Sequence, residues 1–219
     1  MITLKIPEAA IVRLSMYSRF LGKKCKVDKN TISSEEIAKG VGVNSAQVRK
    51  DLAYFGEFGI RGVGYNVTSL YKQILNILNL HVDWDIALVG YGHLGRALTS
   101  YKGFRERGFI FSHIFDNDPQ KVGTKVNGIE VLPVERLEEV IGKNRMPIGI
   151  IATPPDVAGE IANSFVNAGV QSILNFAPIA LNVRSNIEIR NVDLTVNLEV
   201  LTFNSVLQMT NDVRKVGIN

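Results

Sequence analysis

The architecture of most of this 219-residue chain follows from one stretch, Asp85-Ile86-Ala87-Leu88-Val89-Gly90-Tyr91-Gly92-His93-Leu94-Gly95. An apolar strand, residues 86–89, leads directly into a G-x-G-x-x-G turn that opens a helix. In such a turn Gly90 permits the tight bend, Gly92 lets backbone amides approach a pyrophosphate, and Gly95 lets the helix pack on the strand. The helix N-terminus then offers free N–H groups to the phosphates. The sequence therefore predicts a dinucleotide site in this turn.

Strands and helices alternate through the rest of this part of the chain. Further strands are predicted at residues 109–115, 148–152 and 172–174, and helices at residues 94–107, 134–141 and 156–168. Alternation at this spacing is typical of a parallel sheet covered by helices. We therefore predict an α/β fold with a Rossmann-like domain over residues 83–197.

An acidic residue stands where the ribose-binding acid of a Rossmann domain is expected. Asp116 ends the second predicted strand, 21 positions after Gly95, and Asn117 follows it. A carboxylate there accepts hydrogen bonds from ribose hydroxyls and repels a 2′-phosphate, which favours NAD(H) over NADP(H). A surface aspartate beside a glycine-rich turn is the alternative.

Two later strand ends are candidates for the nicotinamide side of the pocket. Thr153-Pro154-Pro155 follow the strand IGIIA, and Asn175-Phe176-Ala177-Pro178 follow the strand SIL. Ligands of open α/β sheets bind at the carboxyl ends of strands. Prolines that only shape the loops would give the same pattern, so both interpretations stay open.

Charge divides the chain near residues 81–85. Residues 1–82 carry 12 Lys and Arg against 6 Asp and Glu, a net charge of +6, whereas residues 83–219 carry a net charge of −2. A basic first part suggests a polyanionic partner, although a solvated basic surface is also compatible with it.

The basic part has the pattern of a helix-turn-helix. Ser33 and Glu36 form a predicted capping box for a helix that runs from Glu35 to about Lys39. After a glycine-containing turn, Asn44 caps a third helix that extends to about residue 55, with Gln47 as the expected return partner of the cap.

The third helix is the predicted recognition helix. Val48, Leu52 and Phe55 recur at helical spacing and should face the core. The opposite side carries the residues that suit a major groove, with small, polar and basic side chains: Ala46, Gln47, Arg49, Lys50 and Ala53. An ordinary amphipathic surface helix is the alternative.

The segment Gly59-Ile60-Arg61-Gly62-Val63-Gly64-Tyr65 predicts a short β-wing. Its glycines allow a tight turn, and Arg61 at the tip could enter a minor groove, where the potential is most negative. A flexible linker is the alternative, but the apolar residues of the segment disfavour it.

Several classes of protein are disfavoured by what the sequence lacks. No apolar run has the length of a membrane span, and the start of the chain does not resemble a signal peptide. One cysteine and three scattered histidines predict neither a disulfide nor a metal site, so we expect a cytoplasmic protein. After His113 there is no histidine to donate a proton to a substrate, which predicts a site that binds a dinucleotide without turnover.

Five segments together resemble one known family, the Rex redox-sensing transcriptional repressors. They are PEAAIVRLSMYSRFL, SAQVRKDLAYFGEFGIRGVGYNV, GYGHLGRAL, FDNDPQKVG and ILNFAP, in the same order. The resemblance covers nearly the whole chain, and its longest motif is far more specific than G-x-G-x-x-G.

The resemblance implies more than the residues alone predict. It implies a homodimer with an N-terminal winged-helix domain over residues 1–82, a Rossmann domain, and a C-terminal helix, residues 198–219, swapped into the partner. It implies binding to palindromic double-stranded operator DNA, a response to the NADH/NAD⁺ ratio, and release of the operator when NADH binds.

The resemblance also assigns roles to individual positions. Ser45, Gln47, Arg49 and Lys50 match the recognition helix of the family, and Arg61, Gly62 and Tyr65 match its wing. Lys121 matches a tail that borders the adenosine end, and residues 176–178 match the nicotinamide-side loop. Arg19, Tyr101 and Asp193 fall where the family places polar groups that link the domains.

Two other classes of function remain as alternatives. A small NAD-dependent dehydrogenase with a helical appendage would turn over the cofactor with a carbonyl substrate. A nonspecific DNA-packing protein with a degenerate Rossmann domain would bind DNA in a way that ignores NADH and weakens steeply with salt.

Overall fold

The computed structural model describes residues 6–27, 30–60, 62–144, 147–183 and 187–216, except the side chains of residues 144 and 209–216. The chain divides into two compact units, residues 1–82 and residues 83–219. Within the described ranges, no helix has both the length and the apolar character needed to cross a membrane.

Four helices build the first unit: α1 (Glu8–Cys25), α2 (Ser34–Val41), α3 (Ser45–Ala53) and α4 (Val67–Ile77). Each sends one apolar face into a shared core. The core includes Leu14 and Leu21 of α1, Ile37 of α2, Val48 of α3 and Ile74 of α4, all with no exposed surface. Burial of these faces drives the four short helices together.

The caps of α2 and α3 decide where the helix-turn-helix begins and turns. Ser33 and Glu36 form the predicted capping box, and Gly42 ends α2 in the left-handed region at φ 77°. The backbone N–H of Gln47 donates to Asn44 Oδ1 at 2.7 Å, as predicted. The expected return bond from Gln47 is wrong: its side-chain amide donates instead to Asp51 Oδ1, at 2.7 Å. The return bond would need the side-chain oxygen of Gln47 to accept from the Asn44 N–H, whereas the buried carboxylate one turn away takes a charge-assisted hydrogen bond from its Nε2.

A short β-structure follows α3. Strand β1 (Thr31–Ile32) pairs antiparallel with β2 (Tyr65–Asn66), and Ile60 forms a β-bridge with Gly64 that closes a tight hairpin. The wing segment therefore forms a hairpin anchored to the first unit through Tyr65. Arg61, the predicted tip, lies outside the described residues.

The second unit contains a seven-stranded sheet. Its strands are β3 (Trp84–Val89), β4 (Phe109–Asp116), β5 (Lys125–Val126), β6 (Ile129–Pro133), β7 (Ile148–Ile151), β8 (Ser172–Asn175) and β9 (Glu188–Asn191). Its helices are α5 (His93–Ser100), α6 (Lys102–Arg105), α7 (Leu137–Asn144), which a 3₁₀ turn at Val134–Arg136 precedes, α8 (Pro155–Asn167) and α9 (Leu194–Val216).

The sheet has the Rossmann strand order. Its order is β5-β6-β4-β3-β7-β8-β9, and all pairs from β6 to β9 are parallel. One apolar cluster, which includes Phe115 and Phe165, packs α7 and α8 on one face, and a second, which includes Leu88 and Ile114, covers the other. The strand order reverses between β3 and β7, which is where such sheets bind dinucleotides.

Several elements of the second unit differ from the sequence predictions. The helix predicted over residues 94–107 is broken at Tyr101, which is extended at ψ 106°. The Tyr101 ring packs over Gly103, where a side chain would collide with it, and edge-on against Phe104. Strands β5, β6 and β9 were not predicted, because they are short and β9 is largely polar.

The last helix starts earlier than the predicted residue 198. Helix α9 begins at Leu194 because Asp193 caps it: Asp193 Oδ1 accepts hydrogen bonds from the N–H groups of Thr195 at 2.8 Å and Val196 at 3.4 Å. Residues 217–219 lie outside the described part of the chain.

The turn between β3 and α5 leaves no room for side chains at two glycines. Gly90 has φ +99°, and a Cβ there would lie 2.5 Å from the carbonyl oxygen of Ala152, the residue after β7. A Cβ at Gly95 would collide with the carbonyl oxygen of Gly90. Gly92 differs, since a Cβ there would meet no atom within 4 Å.

We therefore expect Gly95→Ala to lower the free energy of unfolding of the second unit by about 1–3 kcal/mol, because backbone must move. Gly92→Ala is the matched control, with an expected change of about 0.5 kcal/mol or less. The only tryptophan, Trp84, lies in β3, so urea unfolding followed by its fluorescence reports on this unit. Equal losses in the two variants would contradict the expectation.

Candidate functional site

A cavity of about 550 Å³ opens at the carboxyl ends of the neighbouring strands β3 and β7. It is lined by residues from the G-x-G turn, from the ends of β4 and β7, and from the start of α8: Gly90, Gly92, Asp116, Asn117, Lys121, Thr153, Pro154, Asp156 and Glu160 among them. The structure thus brings seven of the predicted cofactor residues to one cavity. Tyr91, His93, Leu94 and Gly95 form the adjoining turn and the first residues of α5.

Asp116 is a buried anchor as well as a candidate ribose ligand. It is only 5% exposed, and its carboxylate accepts hydrogen bonds from the backbone N–H groups of Tyr91 at 2.6 Å and Asp118 at 2.9 Å. Lys121 Nζ lies 3.3 Å from both carboxylate oxygens. The ammonium group also lies 3.3 Å from Asp118 Oδ2, so it offsets only part of the negative charge that would repel a 2′-phosphate.

The cavity has the polar features that a dinucleotide needs. Thr153 Oγ1 is buried without a hydrogen-bond partner among the described residues, which is costly unless a ligand supplies one. The open space at Gly92 gives a pyrophosphate access to the N–H groups at the start of α5. The residues present therefore fit a bound dinucleotide.

Asn175, predicted as part of the nicotinamide-side segment, is the last residue of β8 and shapes the loop that follows it. Asn175 has no exposed surface; its Nδ2 donates to the carbonyl oxygens of Ala177 and Ile179, and its Oδ1 accepts from the N–H of Ala177 at 3.0 Å. Phe176, Ala177 and Pro178 follow the end of β8, next to β7, but they do not line the 550 Å³ cavity.

In the first unit, helix α3 presents the predicted recognition face. Val48 and Leu52 are buried, whereas Ala46, Arg49, Lys50 and Ala53 are exposed. Ser45, the first residue of α3, and Gln47, the third, are half-buried. The N-terminal turn of the helix is the part that contacts base edges in helix-turn-helix proteins.

A buried carboxylate on α3 was missed at the level of sequence. Asp51 is completely buried and accepts two hydrogen bonds from Arg13 of α1, Nε at 2.6 Å and Nη2 at 2.8 Å, and one from the Tyr17 hydroxyl at 2.7 Å. Burial by itself raises the pKa of Asp51, but the hydrogen bonds from Arg13, Tyr17 and Gln47 outweigh it, so its pKa lies below the ordinary value. The sequence did contain a signal for this pair: Asp51 lies next to Leu52 on the core side of the predicted helix. A charge that is buried there needs a partner of opposite charge.

A groove of about 650 Å³ separates α3 from the wing. Arg49 and Ser34 line it, and Arg49 Nη1 donates to Ser34 Oγ at 2.9 Å. Gly62 and Tyr65 of the wing line the other side. Arg49 of α3 and the hairpin thus border one concave surface.

The three predicted relay residues lie in different settings. Arg19 is exposed on α1 of the first unit. Tyr101 is 61% exposed between α5 and α6, and Asp193 caps α9, both in the second unit. In the described ranges, no cluster of three or more His, Cys, Asp or Glu is arranged to hold a metal ion.

Two protein-family models match the chain. One, described as a putative DNA-binding protein N-terminus, matches residues 5–53. The other, described as a CoA binding domain, matches residues 81–179. The two matches fall in the first and the second unit respectively.

Solved structures of one repressor resemble the whole chain. The crystal structure of RSP with β-NAD⁺ and operator DNA superposes with a TM-score of 0.89, at 36% identity over 98% of this chain and 99% of that one. RSP with β-NADH superposes with a TM-score of 0.84, at 35% identity over 98% and 100%.

Curated relatives are more similar still in sequence. The redox-sensing transcriptional repressor Rex of Desulfitobacterium hafniense is 66% identical over 202 residues, 92% of this chain and 96% of that protein. Rex of Carboxydothermus hydrogenoformans is 58% identical over 91% of this chain and 96% of that protein. The chain therefore belongs to the Rex family of redox-sensing transcriptional repressors.

Proposed function

We propose that this protein is a homodimeric repressor that binds palindromic operator DNA through its first unit and releases it when NADH binds the second. The observation that carries the proposal is the combination of a cavity at the switch point of a Rossmann sheet with an exposed helix-turn-helix face in one chain. The relatives support it, because RSP has been crystallised with β-NAD⁺ and operator DNA and with β-NADH.

The DNA contacts are assigned to α3 and the wing. Ser45, Ala46 and Gln47 would meet base edges, and Arg49 and Lys50 would bind phosphate or guanine. Gly62 and Tyr65 would hold the hairpin from which Arg61 reaches the minor groove.

The cofactor contacts are assigned to the second unit. Residues 90–95 would hold the pyrophosphate, Asp116, Asn117 and Lys121 the adenosine end, and residues 153–154 and 176–178 the nicotinamide side. NADH and NAD⁺ share this site, and the effector is the one that prefers the DNA-free state.

We propose that the site binds the dinucleotide without turnover. Among the described residues that line the cavity there is no histidine or tyrosine to donate a proton, and its lysine, Lys121, is paired with Asp116. The acids Glu135 and Glu160 line the same cavity, so a dehydrogenase is the alternative that a turnover assay must test.

The dimer contact is assigned to the C-terminal helix, including residues 198–219. Helix α9 is 23 residues long, and its apolar side chains from Leu194 to Leu207 are exposed, with Leu201 at 61% and Phe203 at 65%. A helix with this much exposed apolar surface needs a partner to cover it. We propose that a second copy of the chain does so, by exchange of α9.

A two-state dimer would connect the two sites. The operator and NADH favour different states, so each weakens the binding of the other. Arg19, Tyr101 and Asp193 would form a polar contact in only one of the two states and so bias the equilibrium.

The first test is the fluorescence anisotropy of a palindromic duplex, selected from a random pool, titrated with NADH and then NAD⁺ at fixed salt. We expect NADH to weaken operator binding by roughly 5- to 150-fold and NAD⁺ to do so less. Gly92→Ala should retain DNA binding and lose the NADH response, because its methyl group obstructs the pyrophosphate. CoA serves as a control ligand and should not release the duplex.

Three outcomes would contradict this proposal. Sequence-specific DNA binding that neither NADH nor NAD⁺ changes would contradict the proposed response to the dinucleotide. Binding without sequence preference would favour the DNA-packing alternative. Failure to select any sequence, together with substrate-dependent oxidation of NADH, would favour the dehydrogenase.

A second prediction concerns α9. Phe203→Glu should shift the protein from dimer to monomer in sedimentation velocity, because a charge would be buried in the contact. Thr202→Glu, one position away on the same helix, is the matched control and should weaken the dimer less. Unchanged dimers in the Phe203→Glu variant would contradict the assignment of α9.

A third prediction concerns Arg19. Arg19→Ala should require more NADH to release the operator, because the DNA-free state loses a polar contact, and linkage requires the apparent NADH affinity to fall with it. Anisotropy measures the release of the operator, and calorimetry measures the binding of NADH. Unchanged potency of NADH in release would contradict the relay.

A further inference from the structure

Helix α3 carries a carboxylate at a place where a negative charge should repel DNA. Asp51 has no exposed surface, and the Arg13 guanidinium pairs with it through two hydrogen bonds. The pair arises from two i,i+4 patterns that face each other, Arg13 with Tyr17 on α1 and Gln47 with Asp51 on α3. Asp51 is therefore neutralised, and it cannot itself touch DNA.

The hydrogen bonds of Asp51 saturate its two oxygens. Oδ2 accepts from Arg13 Nε at 2.6 Å and from the Tyr17 hydroxyl at 2.7 Å. Oδ1 accepts from Arg13 Nη2 at 2.8 Å and from Gln47 Nε2 at 2.7 Å. Four bonds fill the lone-pair sites that an ionised carboxylate offers.

This saturation determines the orientation of the Gln47 amide. A carboxylate only accepts hydrogen bonds, so the amide group next to it must present Nε2 and not Oε1. One Nε2 hydrogen is used, and Oε1 and the second hydrogen remain for a ligand. A glutamine without such a neighbour could rotate its amide and offer either edge.

We propose that Asp51 is a positioning residue for DNA recognition, which fixes Gln47 so that its Oε1 accepts from an exocyclic amine in the major groove. Gln47 is the third residue of α3, in the turn that contacts base edges. The amines in the major groove are adenine N6 and cytosine N4, whereas guanine and thymine present carbonyl oxygens there. A contact through Oε1 therefore favours adenine or cytosine over guanine or thymine on the strand that Gln47 contacts.

This inference rests on the proposed DNA-binding function, and it is tested by selection from a pool of random duplexes with the full-length protein. The wild-type chain should select adenine or cytosine at one position of each half-site. Asp51→Asn replaces the pure acceptor with an amide that accepts or donates, so Gln47 is free to turn. We expect the preference at that one position to fall by roughly ten-fold, with the other positions unchanged.

A matched control separates orientation from stability. Tyr17→Phe removes one of the four bonds to Asp51 but leaves a carboxylate that faces Gln47. It should lower thermal stability without changing the selected sequence. Gln47→Met removes the reading group itself and should abolish the preference at the same position. In a Gln47→Met background, Asp51→Asn should change nothing further at that position.

The outcomes distinguish the inference from the function on which it rests. If the wild-type chain selects no sequence, the proposed function fails and the inference fails with it. If the wild-type chain selects a sequence and either Asp51→Asn or Gln47→Met selects the same one, only the inference fails. If Asp51→Asn does not fold, the Gln47→Met profile decides: loss of an adenine or cytosine preference supports the inference, and its retention overturns it.

Discussion

The close approach of backbone to backbone at the end of β3 is the constraint on which the second unit depends. Gly90 faces the carbonyl oxygen of Ala152 so closely that no side chain fits, and its N–H donates to the carbonyl oxygen of Phe115 on β4 at 2.8 Å. The N–H of Ala152 in turn donates a hydrogen bond to the carbonyl oxygen of Val89 at 2.8 Å. These bonds align the ends of β4, β3 and β7, and the cavity exists because the chain then leaves β3 and β7 in opposite directions.

Both units keep an acid beside a surface proposed to bind phosphates, and in both a basic side chain pairs with it. Arg13 pairs with Asp51 in the first unit, and Lys121 pairs with Asp116 in the second. Replacing a buried ion pair with apolar residues is often neutral or stabilising, so such pairs are poor devices for stability alone. Their common effect here is orientation: Asp51 holds the amide of Gln47, and Asp116 holds the backbone N–H of Tyr91 in the glycine-rich turn.

Local signals explain which parts of the fold were predictable. The capping box at Ser33, the cap at Asn44 and the glycines at 90–95 each act within a few residues, and each leaves a pattern in the sequence. The break at Tyr101 is also local, because its ring packs over Gly103 two positions on, but the helical periodicity of residues 94–107 does not show it. Strand β9 depends on pairing with β8 rather than on its own composition, EIRN, and pairing across the fold has no local pattern, so β9 could not be predicted. The partner of the buried Asp51 could not be predicted either, because its charge is paired with Arg13, 38 positions away in the sequence.

The loop after β8 and helix α9 share one anchor. Asn175 Nδ2 donates to the carbonyl oxygens of Ala177 and Ile179 in the loop and to Asn191 Oδ1, at 2.8 Å, on β9. The N–H of Val192 donates to the Asn175 carbonyl oxygen at 2.8 Å, and Asp193, the next residue, caps α9. In the proposed repressor, a loop that responds to the nicotinamide would therefore be joined to the start of the dimer helix through a single buried side chain. A ligand shifts a two-state equilibrium only through contacts that differ between the states. Because Asn175 bonds both the loop and β9, a ligand contact at the loop would change the position of α9 as well.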